Sequence, residues 1–188
     1  MTVTTGLPPV AGRNARILIL GSLPGAESIR QQQYYAQRHN RFWWILGALL
    51  GAEPALPYEA RLAILCQAGI ALWDVCAAAE RPGSLDSRIR PASVVPNAIG
   101  AFLSAHPRVG LICFNGRGAA QLFQRLVLPH LAPVQAAIRR EILPSTSAAH
   151  AAMPPAQKLA QWRSALSVAE NSPPCAGPPQ ADGHLAFP

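Results

Sequence analysis

Lysine and acidic residues are both scarce in this chain of 188 residues. Fifteen of its sixteen Lys+Arg are arginines, and only nine Asp+Glu oppose them, which leaves a net charge of +7. Such a charge on a small protein favours an anionic partner, most commonly nucleic acid. Arginine also suits phosphate better than lysine does, because its planar guanidinium binds two oxygens at once. A solvated surface rich in arginine is the alternative.

The sequence has no CxxC pair. Its four cysteines, Cys66, Cys76, Cys113 and Cys175, lie far apart, whereas zinc and iron–sulfur sites need clustered ligands. We therefore expect no metal site, and we expect these side chains to act as small buried hydrophobic groups.

The sequence also has no run of 18 apolar residues, and its N-terminus has no apolar core behind a positive charge. We therefore expect neither a membrane span nor a signal peptide, and a cytoplasmic protein. Pro, Gly and small polar residues predict a flexible segment at 1–13 and a disordered tail at 171–188. Residues 14–170 are expected to form one domain.

Short apolar runs alternate with helical patterns along that domain. The runs predict buried strands at 16–21, 70–73, 109–114 and 138–143, and the patterns predict helices at 42–51, 57–69, 96–107, 117–131 and 154–170. This alternation predicts a doubly wound, three-layer α/β/α fold with a mostly parallel four-stranded sheet. Such sheets bind ligands at the carboxyl ends of their strands, so the function is expected in loops 21–41, 74–95, 114–117 and 143–153.

The loop after the first strand reads GSLPGAES. Gly21, Pro24 and Gly25 predict a tight turn whose N–H groups can point at a ligand, although a plain connecting turn is the alternative. Ser22 directly follows a glycine, so the spacing of a nucleophile elbow fails. No lysine is near, which excludes a P-loop.

The next unusual stretch is 34-YYAQRHNRFW-43. Two tyrosines, a histidine, an asparagine and two arginines stand directly before a helix that begins near Phe42. A turn needs no aromatic residues. Asn40 is well placed to cap the helix, because Asn is among the most frequent N-cap residues.

Three further loops carry polar residues just past a strand. Asn115 can read a base edge by donating and accepting at once, but Asn-Gly is also a common turn. The hydroxyl groups of 143-LPSTS can bond a phosphate backbone, or cap the last helix. Arg81, Arg88 and Arg90 belong either to a phosphate-facing loop or to local Asp–Arg pairs.

Taken together, these loops resemble the uracil-DNA glycosylase superfamily, and most closely its hypoxanthine-DNA (deoxyinosine) glycosylase branch. The resemblance depends on six segments in order along the chain: GLPPVA at 6–11, ILGSLPGAES at 19–28, YYAQRHNRFW at 34–43, LWDV with RPGSLDSRI at 72–89, FNG at 114–116 and LPSTS at 143–147. It implies the superfamily's α/β fold, no cofactor and no metal.

The resemblance also implies a monofunctional enzyme, acting as a monomer, that everts a deaminated base from double-stranded DNA and hydrolyses its N-glycosidic bond. Hypoxanthine is the expected base, with uracil or xanthine as further candidates. Tyr35 would be the platform under the base, and Asn40 would position the attacking water. The base-binding set would be Gly21, Ser22, Leu23, Pro24, Gly25 and Asn115 with Tyr35, and the DNA-binding set would be Arg41, Ser145, Ser147, Ala149 and His150.

This chain departs from the family pattern at three places. Leu23 stands where many members have Asn or Asp, and it can neither orient nor activate water. Gln37-Arg38 replaces His-Pro, with His39 shifted next to Asn40, and Ala148 replaces a proline after LPSTS. A non-catalytic DNA-binding domain of the same fold and a hydrolase acting on nucleotides or esters are the alternative functions.

Overall fold

The computed structural model describes residues 3–150 and 152–170. Within these residues, seven strands form two sheets: β1 (Val3–Thr5), β2 (Ile17–Gly21), β3 (Ile70–Asp74), β4 (Cys76–Glu80), β5 (Val95–Pro96), β6 (Leu111–Asn115) and β7 (Arg139–Leu143). The described part of the chain also forms seven α-helices: α1 (Ala26–Gln31), α2 (Phe42–Leu50), α3 (Tyr58–Gln67), α4 (Ile99–Ala105), α5 (Arg117–Leu126), α6 (Pro133–Ala136) and α7 (Pro155–Glu170). No helix in the described ranges is long and apolar enough to cross a membrane.

The main sheet has four parallel strands in the order β3-β2-β6-β7, which confirms the predicted fold class. Within the sheet, β3 lies next to β2 toward one edge, and β6, which follows later in the chain, lies next to β2 toward the other edge. The gap between β2 and β6 is therefore the switch in strand order, where open parallel sheets form their ligand crevice.

The two faces of the sheet bury separate hydrophobic cores. Side chains alternate between faces along a strand, so Ile17 and Ile19 point to one core and Leu18 and Leu20 to the other. The first core is covered by α2, α3 and α7, and the second by α4 and α5. Burial on both faces explains why the central strands read as continuous apolar runs.

The four predicted strands and five predicted helices are confirmed, with shifts at their ends, but the strand predicted at 138–143 is mostly exposed and not buried. The helix predicted at 96–107 begins only at Ile99, because the Asn97 side chain donates to the carbonyl of Asp74 and ties this segment to β3. The helix predicted at 117–131 ends at Leu126 and continues as a 3-10 turn, Leu128–His130, that contains a proline. The short helices α1 and α6 were not predicted.

The N-terminal expectation is wrong for the part that the structure describes. β1 pairs with β4 in a second, antiparallel sheet completed by β5, and Val10 bridges Leu72. Leu7 is buried, and its carbonyl accepts hydrogen bonds from the indole of Trp73 and the hydroxyl of Tyr34. Burial of this apolar side chain anchors a segment whose composition suggested flexibility. The predicted tail at 171–188, with Cys175, lies outside the described residues.

Candidate functional site

A cavity of about 770 Å³ opens at the carboxyl ends of the main-sheet strands. Its lining comes from the four predicted loops: Gly21 to Ser28, Tyr34, Tyr35, Gln37, Asn40, Asp74, Ser84, Leu85, Ser87, Asn115 and Ser145 to His150. Cavities of this size commonly hold small-molecule ligands or cofactors. All of the residues predicted to bind the base line it, as does Asn40.

The floor of the cavity holds a buried acid. Asp74 is the last residue of β3, lies opposite Gly21 in the register and is 4% exposed. A methyl group on Gly21 would overlap with the carboxylate Oδ1 of Asp74 and would lie 3.3 Å from the Tyr35 hydroxyl. Glycine at position 21 therefore allows the backbone, the Asp74 carboxylate and the Tyr35 hydroxyl to pack closely together.

A buried arginine holds the first loop. The guanidinium of Arg81 donates to the carbonyls of Leu23 and Pro24, at 3.0 Å for Leu23, and Arg81 is 5% exposed. The suggestion that Arg81 faces phosphate is therefore wrong. Because a trans peptide is planar, the N–H of Gly25 points opposite to the Pro24 carbonyl and away from Arg81. This direction suits the role predicted for the N–H groups of this turn, which is to donate hydrogen bonds to a ligand.

Leu23 does not present its side chain as a site group. It is buried in a small cluster with Cys76, Ala79 and Ile89 beneath the loop. The side chain at this position thus contributes packing, and the polar groups that Leu23 can offer to the cavity are those of its backbone.

Tyr35 is held as a stacked ring in an uncommon backbone conformation. Its ring lies on that of Phe42, with centroids 3.8 Å apart and planes inclined by 19°. Its φ of 56° lies in the left-handed region that non-glycine residues seldom adopt, and such strain is often found at functional sites. Phe42 covers one ring face, so a base can stack only on the other.

Asn40 lies on the cavity wall, directly before Arg41, and it is Arg41 that occupies the N-cap position predicted for Asn40. The Oδ1 of Asn40 accepts the backbone N–H of Phe42 at 2.9 Å, at the start of α2. An amide oxygen has two lone pairs, so this bond fixes the orientation of the side chain and leaves the second for a water molecule. The bond from the Phe42 N–H and the positioning of a water molecule by the same oxygen are therefore compatible in this geometry.

Asn115 clamps two loops together. Its Nδ2 donates to the hydroxyl of Thr146 and its Oδ1 accepts the Thr146 N–H, both at 2.8 Å. Gly116 follows at φ 101°, a value that favours glycine, and packs against Ser145. The amide can still offer a second N–H to a ligand, but reading a base with both of its groups would compete with Thr146.

The loop at 145–150 is fixed from behind by α7. Lys158 is buried, and its Nζ donates to the carbonyls of Ser145 and His150, both at 2.7 Å. The indole of Trp162 donates to Pro144 at 3.0 Å. Burial lowers the pKa of Lys158, and the positive charge of Arg41 lowers it further. This lysine therefore shapes the loop and does not itself line the cavity.

The predicted DNA-binding residues divide into two groups. Ser145, Ser147, Ala149 and His150 line the cavity. Arg41 is exposed beside it, and its backbone N–H donates to the Thr146 carbonyl at 2.9 Å. The five residues thus lie around one edge of the cavity.

Sequence reasoning missed Asp74, Thr146 and Lys158 as parts of this site. Asp74 had a usable signal, because it is an acid directly after an apolar strand, at the edge where the loops converge. Thr146 stands in the predicted LPSTS loop, but its bond to Asn115 and the role of Lys158 could not be predicted, since they depend on contacts across 31 and 13 residues of chain. In the described ranges, no group of three His, Cys, Asp or Glu side chains could hold a metal ion.

A pair of glycine substitutions tests this geometry. Gly21→Ala is expected to lower turnover at the site by at least about tenfold, because the new methyl group displaces the Asp74 carboxylate or the backbone. Gly25→Ala is the matched control: its φ is −68° and its methyl group would meet Ser84 at an ordinary 3.9 Å. Equal activities of the two purified variants would contradict the described packing.

Comparisons with known proteins agree with this geometry. The family model described as the uracil DNA glycosylase superfamily matches residues 8–167. A Methanosarcina acetivorans protein named hypoxanthine DNA glycosylase is 42% identical over 120 residues, which cover 63% of this chain and 75% of that protein. A protein of the same name from Methanosarcina barkeri is 39% identical over 117 residues, covering 62% and 73%.

A solved structure supports the fold independently. The solution NMR structure of a candidate uracil DNA glycosylase from Methanosarcina acetivorans superposes with a TM-score of 0.73 and 35% sequence identity. The match covers 90% of this chain and 99% of the other.

Proposed function

The chain belongs to the uracil DNA glycosylase superfamily, and from this premise we propose that it is a monofunctional DNA glycosylase that releases hypoxanthine from double-stranded DNA. The observation that carries the proposal is the convergence of Tyr35, Asn40 and Asp74 on one cavity at the strand ends. Two relatives named hypoxanthine DNA glycosylase support this choice of base.

The cavity suits a nucleotide that has left the helix. The face of the Tyr35 ring opposite Phe42 would stack on the everted base, and stacking on an aromatic ring contributes roughly 1–3 kcal/mol. This offsets part of the few kcal/mol that eversion costs, a cost that is smallest for a mispaired base. Selection of a deaminated base therefore begins in the duplex, before the base reaches the pocket.

Asp74 supplies the selection within the pocket. Deamination of adenine changes N1 from an acceptor into an N–H donor, and it replaces the amino group by a carbonyl oxygen. A carboxylate only accepts hydrogen bonds, so Asp74 would pair with the new N–H and repel the lone pair of adenine N1. Uracil and xanthine also carry an N–H between or beside carbonyl groups, which is why they remain candidate substrates.

Hydrolysis needs a positioned water and a stabilised leaving base. The C1′–N bond breaks with its electron pair moving to the base, the water oxygen bonds to C1′, and the proton that this water loses passes through solvent to the departing base. Asn40 is too weak a base to take that proton outright, but its Oδ1 would hold the water against C1′, where proximity lowers the barrier. The N–H of Gly25 and the remaining N–H of Asn115 would stabilise the departing base.

The DNA strand would lie along the 145–150 loop. The hydroxyl groups of Ser145 and Ser147 are suited to sugar–phosphate contacts, and Arg41 adds positive charge beside them. We further propose that the enzyme acts as a monomer in the cytoplasm. Binding should weaken as salt rises, because phosphate contacts release counterions.

The experiment uses duplex oligonucleotides that carry a single hypoxanthine, uracil, xanthine or adenine. After incubation with the protein, alkali cleaves any abasic sites. Alkali-dependent breaks at hypoxanthine, with none at adenine, are the expected result. Tight, salt-sensitive binding without breaks would instead identify a non-catalytic DNA-binding domain, an alternative that the packed side chain of Leu23 keeps open.

A further inference from the structure

The edge of the main sheet opposite the cavity carries arginines that the proposed mechanism does not use. Its strands are parallel, so the segments that precede β2 and β6 meet there, and the N–H of Gly110 donates to the Arg16 carbonyl at 3.0 Å. Arg13 and Arg16 precede β2, and Arg108 precedes β6. All three arginines are exposed, and none of them lines the cavity. Together they form the amino-edge cluster.

Two guanidinium groups of this cluster are held around Asn14. The Nη1 of Arg108 donates to the side-chain Oδ1 of Asn14 at 2.9 Å. The Nη2 of Arg16 donates to the carbonyl of Ala68 at 3.5 Å. A methyl group added at Gly69 would come within 3.0 Å of the Arg16 Nε and 3.2 Å of the Asn14 carbonyl oxygen. Arg16 and Arg108 are therefore fixed on two sides of the same short turn.

The charge of the cluster is not neutralised by an acid in the part of the chain that the structure describes. The ion pairs found there are Arg30–Glu27, Arg90–Glu80 and Arg139–Glu141. The acceptors that Arg16 and Arg108 use are an amide oxygen and a backbone carbonyl, both uncharged. Like charges repel, so cations grouped in this way lower stability unless an anion binds between them.

Phosphate fits these groups better than a carboxylate surface does. A guanidinium has five N–H groups in a fixed fork, and Arg16 and Arg108 each use one, so both can still bind two phosphate oxygens at once. Their hydrogen bonds to the protein orient them before any ligand arrives. A damaged base is rare in long DNA, so undamaged duplex is the phosphate polymer that this protein meets most often.

The position of the cluster excludes contact with the duplex that the cavity engages. The five residues of β2 separate the two edges of the sheet by roughly 16 Å, at about 3.3 Å per residue. This distance exceeds the Debye length of about 8 Å at physiological salt, so the two surfaces act on anions independently. A phosphate at the amino edge must therefore belong to another segment of DNA.

We propose that the amino-edge cluster holds the backbone of a second, undamaged DNA duplex while the cavity engages the first. The second duplex contributes no base to the reaction, so the inference goes beyond the proposed function, and only the presence of a lesion in the first duplex rests on it. A protein that holds two segments at once can pass from one to the other without entering free solution. The cluster thus serves the search for a damaged base.

The test uses two short duplexes, one with a tetrahydrofuran site and a donor dye, the other undamaged with an acceptor dye. Wild-type protein should bring the dyes together at low salt, and native mass spectrometry should show one protein with two duplexes. Arg16→Gln with Arg108→Gln should weaken binding of the undamaged duplex at least about fivefold. The slope of log affinity against log salt should become shallower by about 2, since each phosphate contact contributes about 0.9.

The controls separate the cluster from overall charge and from the cavity. Arg163→Gln removes one exposed arginine from the middle of α7 and should change the second binding less than either single substitution in the cluster. Affinity for the tetrahydrofuran duplex and base release from a short hypoxanthine duplex should stay within about twofold in the cluster variants. A parallel loss of both would place these arginines in the footprint of the first duplex and overturn the proposal.

Three further results would overturn it. These are a wild-type protein that binds only one duplex, a complex of two proteins with two duplexes, and a second binding that survives the double substitution. Tighter binding of polyglutamate than of undamaged duplex, at equal charge, would assign the cluster to an acidic protein instead. If hypoxanthine duplexes release no base, the proposed reaction fails, but the dye measurement needs no turnover and still decides whether a second duplex binds.

Discussion

Asn40→Ala is expected to lower the rate of hypoxanthine release by roughly 100- to 1,000-fold, because the group that holds the attacking water is lost. The substitution also removes the bond to the Phe42 N–H, which costs about 1 kcal/mol of stability, a typical value for an intramolecular hydrogen bond. Single-turnover release of the free base from a hypoxanthine duplex measures the rate, and thermal unfolding measures the loss of stability.

Asn40→Ser separates the two roles of this residue. A serine hydroxyl can also accept the N–H two residues on, so it should retain most of the stability, but its shorter side chain cannot place water where the amide oxygen did. Both variants are therefore expected to be inactive, while only Asn40→Ala loses stability. If Asn40→Ala were active, Asn40 would not position the attacking water, and its bond from the Phe42 N–H would be its remaining role.

Asp74→Asn is expected to reduce hypoxanthine release by about 10- to 100-fold, because a hydrogen bond to a charged acceptor is lost. The new amide can donate to N1 of adenine, so the ratio of hypoxanthine to adenine activity should fall further than the rate itself. Single-turnover rates on matched duplexes that differ only in this base measure both effects.

An abasic duplex provides the control for Asp74. A tetrahydrofuran site has no base for the carboxylate to read, so the wild-type protein and Asp74→Asn should bind it with equal affinity. A parallel loss of abasic binding would show that the substitution disturbs the floor of the cavity, where Gly21, Tyr35 and Asp74 pack together, and would remove the argument for base reading.

The sequence predicted the parts of the fold that depend on local patterns. The strands β2, β3 and β6 are buried and carry apolar runs, and α2 and α7 carry apolar positions at helical spacing, so both kinds of element were identified. β4 was not, because its CAAAE sequence has none of the branched or aromatic side chains that indicate a strand. β1 was missed because its stability comes from pairing with β4, about 75 residues away in the chain.

The functional site, too, combines residues that local motifs predicted with contacts between distant segments that they could not predict. Residues such as Tyr35, Asn40 and Asn115 stand at strand–loop junctions in motifs that the chain itself displays, and the structure brings all three to the cavity. Their hydrogen-bond partners could not be predicted, because the bonds of Asn115 to Thr146 and of Arg81 to the first loop join distant segments. The buried role of Arg81 in particular reverses what its charge suggested.

The central claim is that water, held at this cavity, replaces a deaminated base on the deoxyribose. The most direct measurement is a single-turnover reaction on a hypoxanthine duplex in ¹⁸O-labelled water, followed by mass spectrometry of both products. The account predicts unlabelled free hypoxanthine and one ¹⁸O atom on the abasic sugar, with the strand intact until alkali is added. An absence of free base, or strand cleavage without alkali, would contradict it.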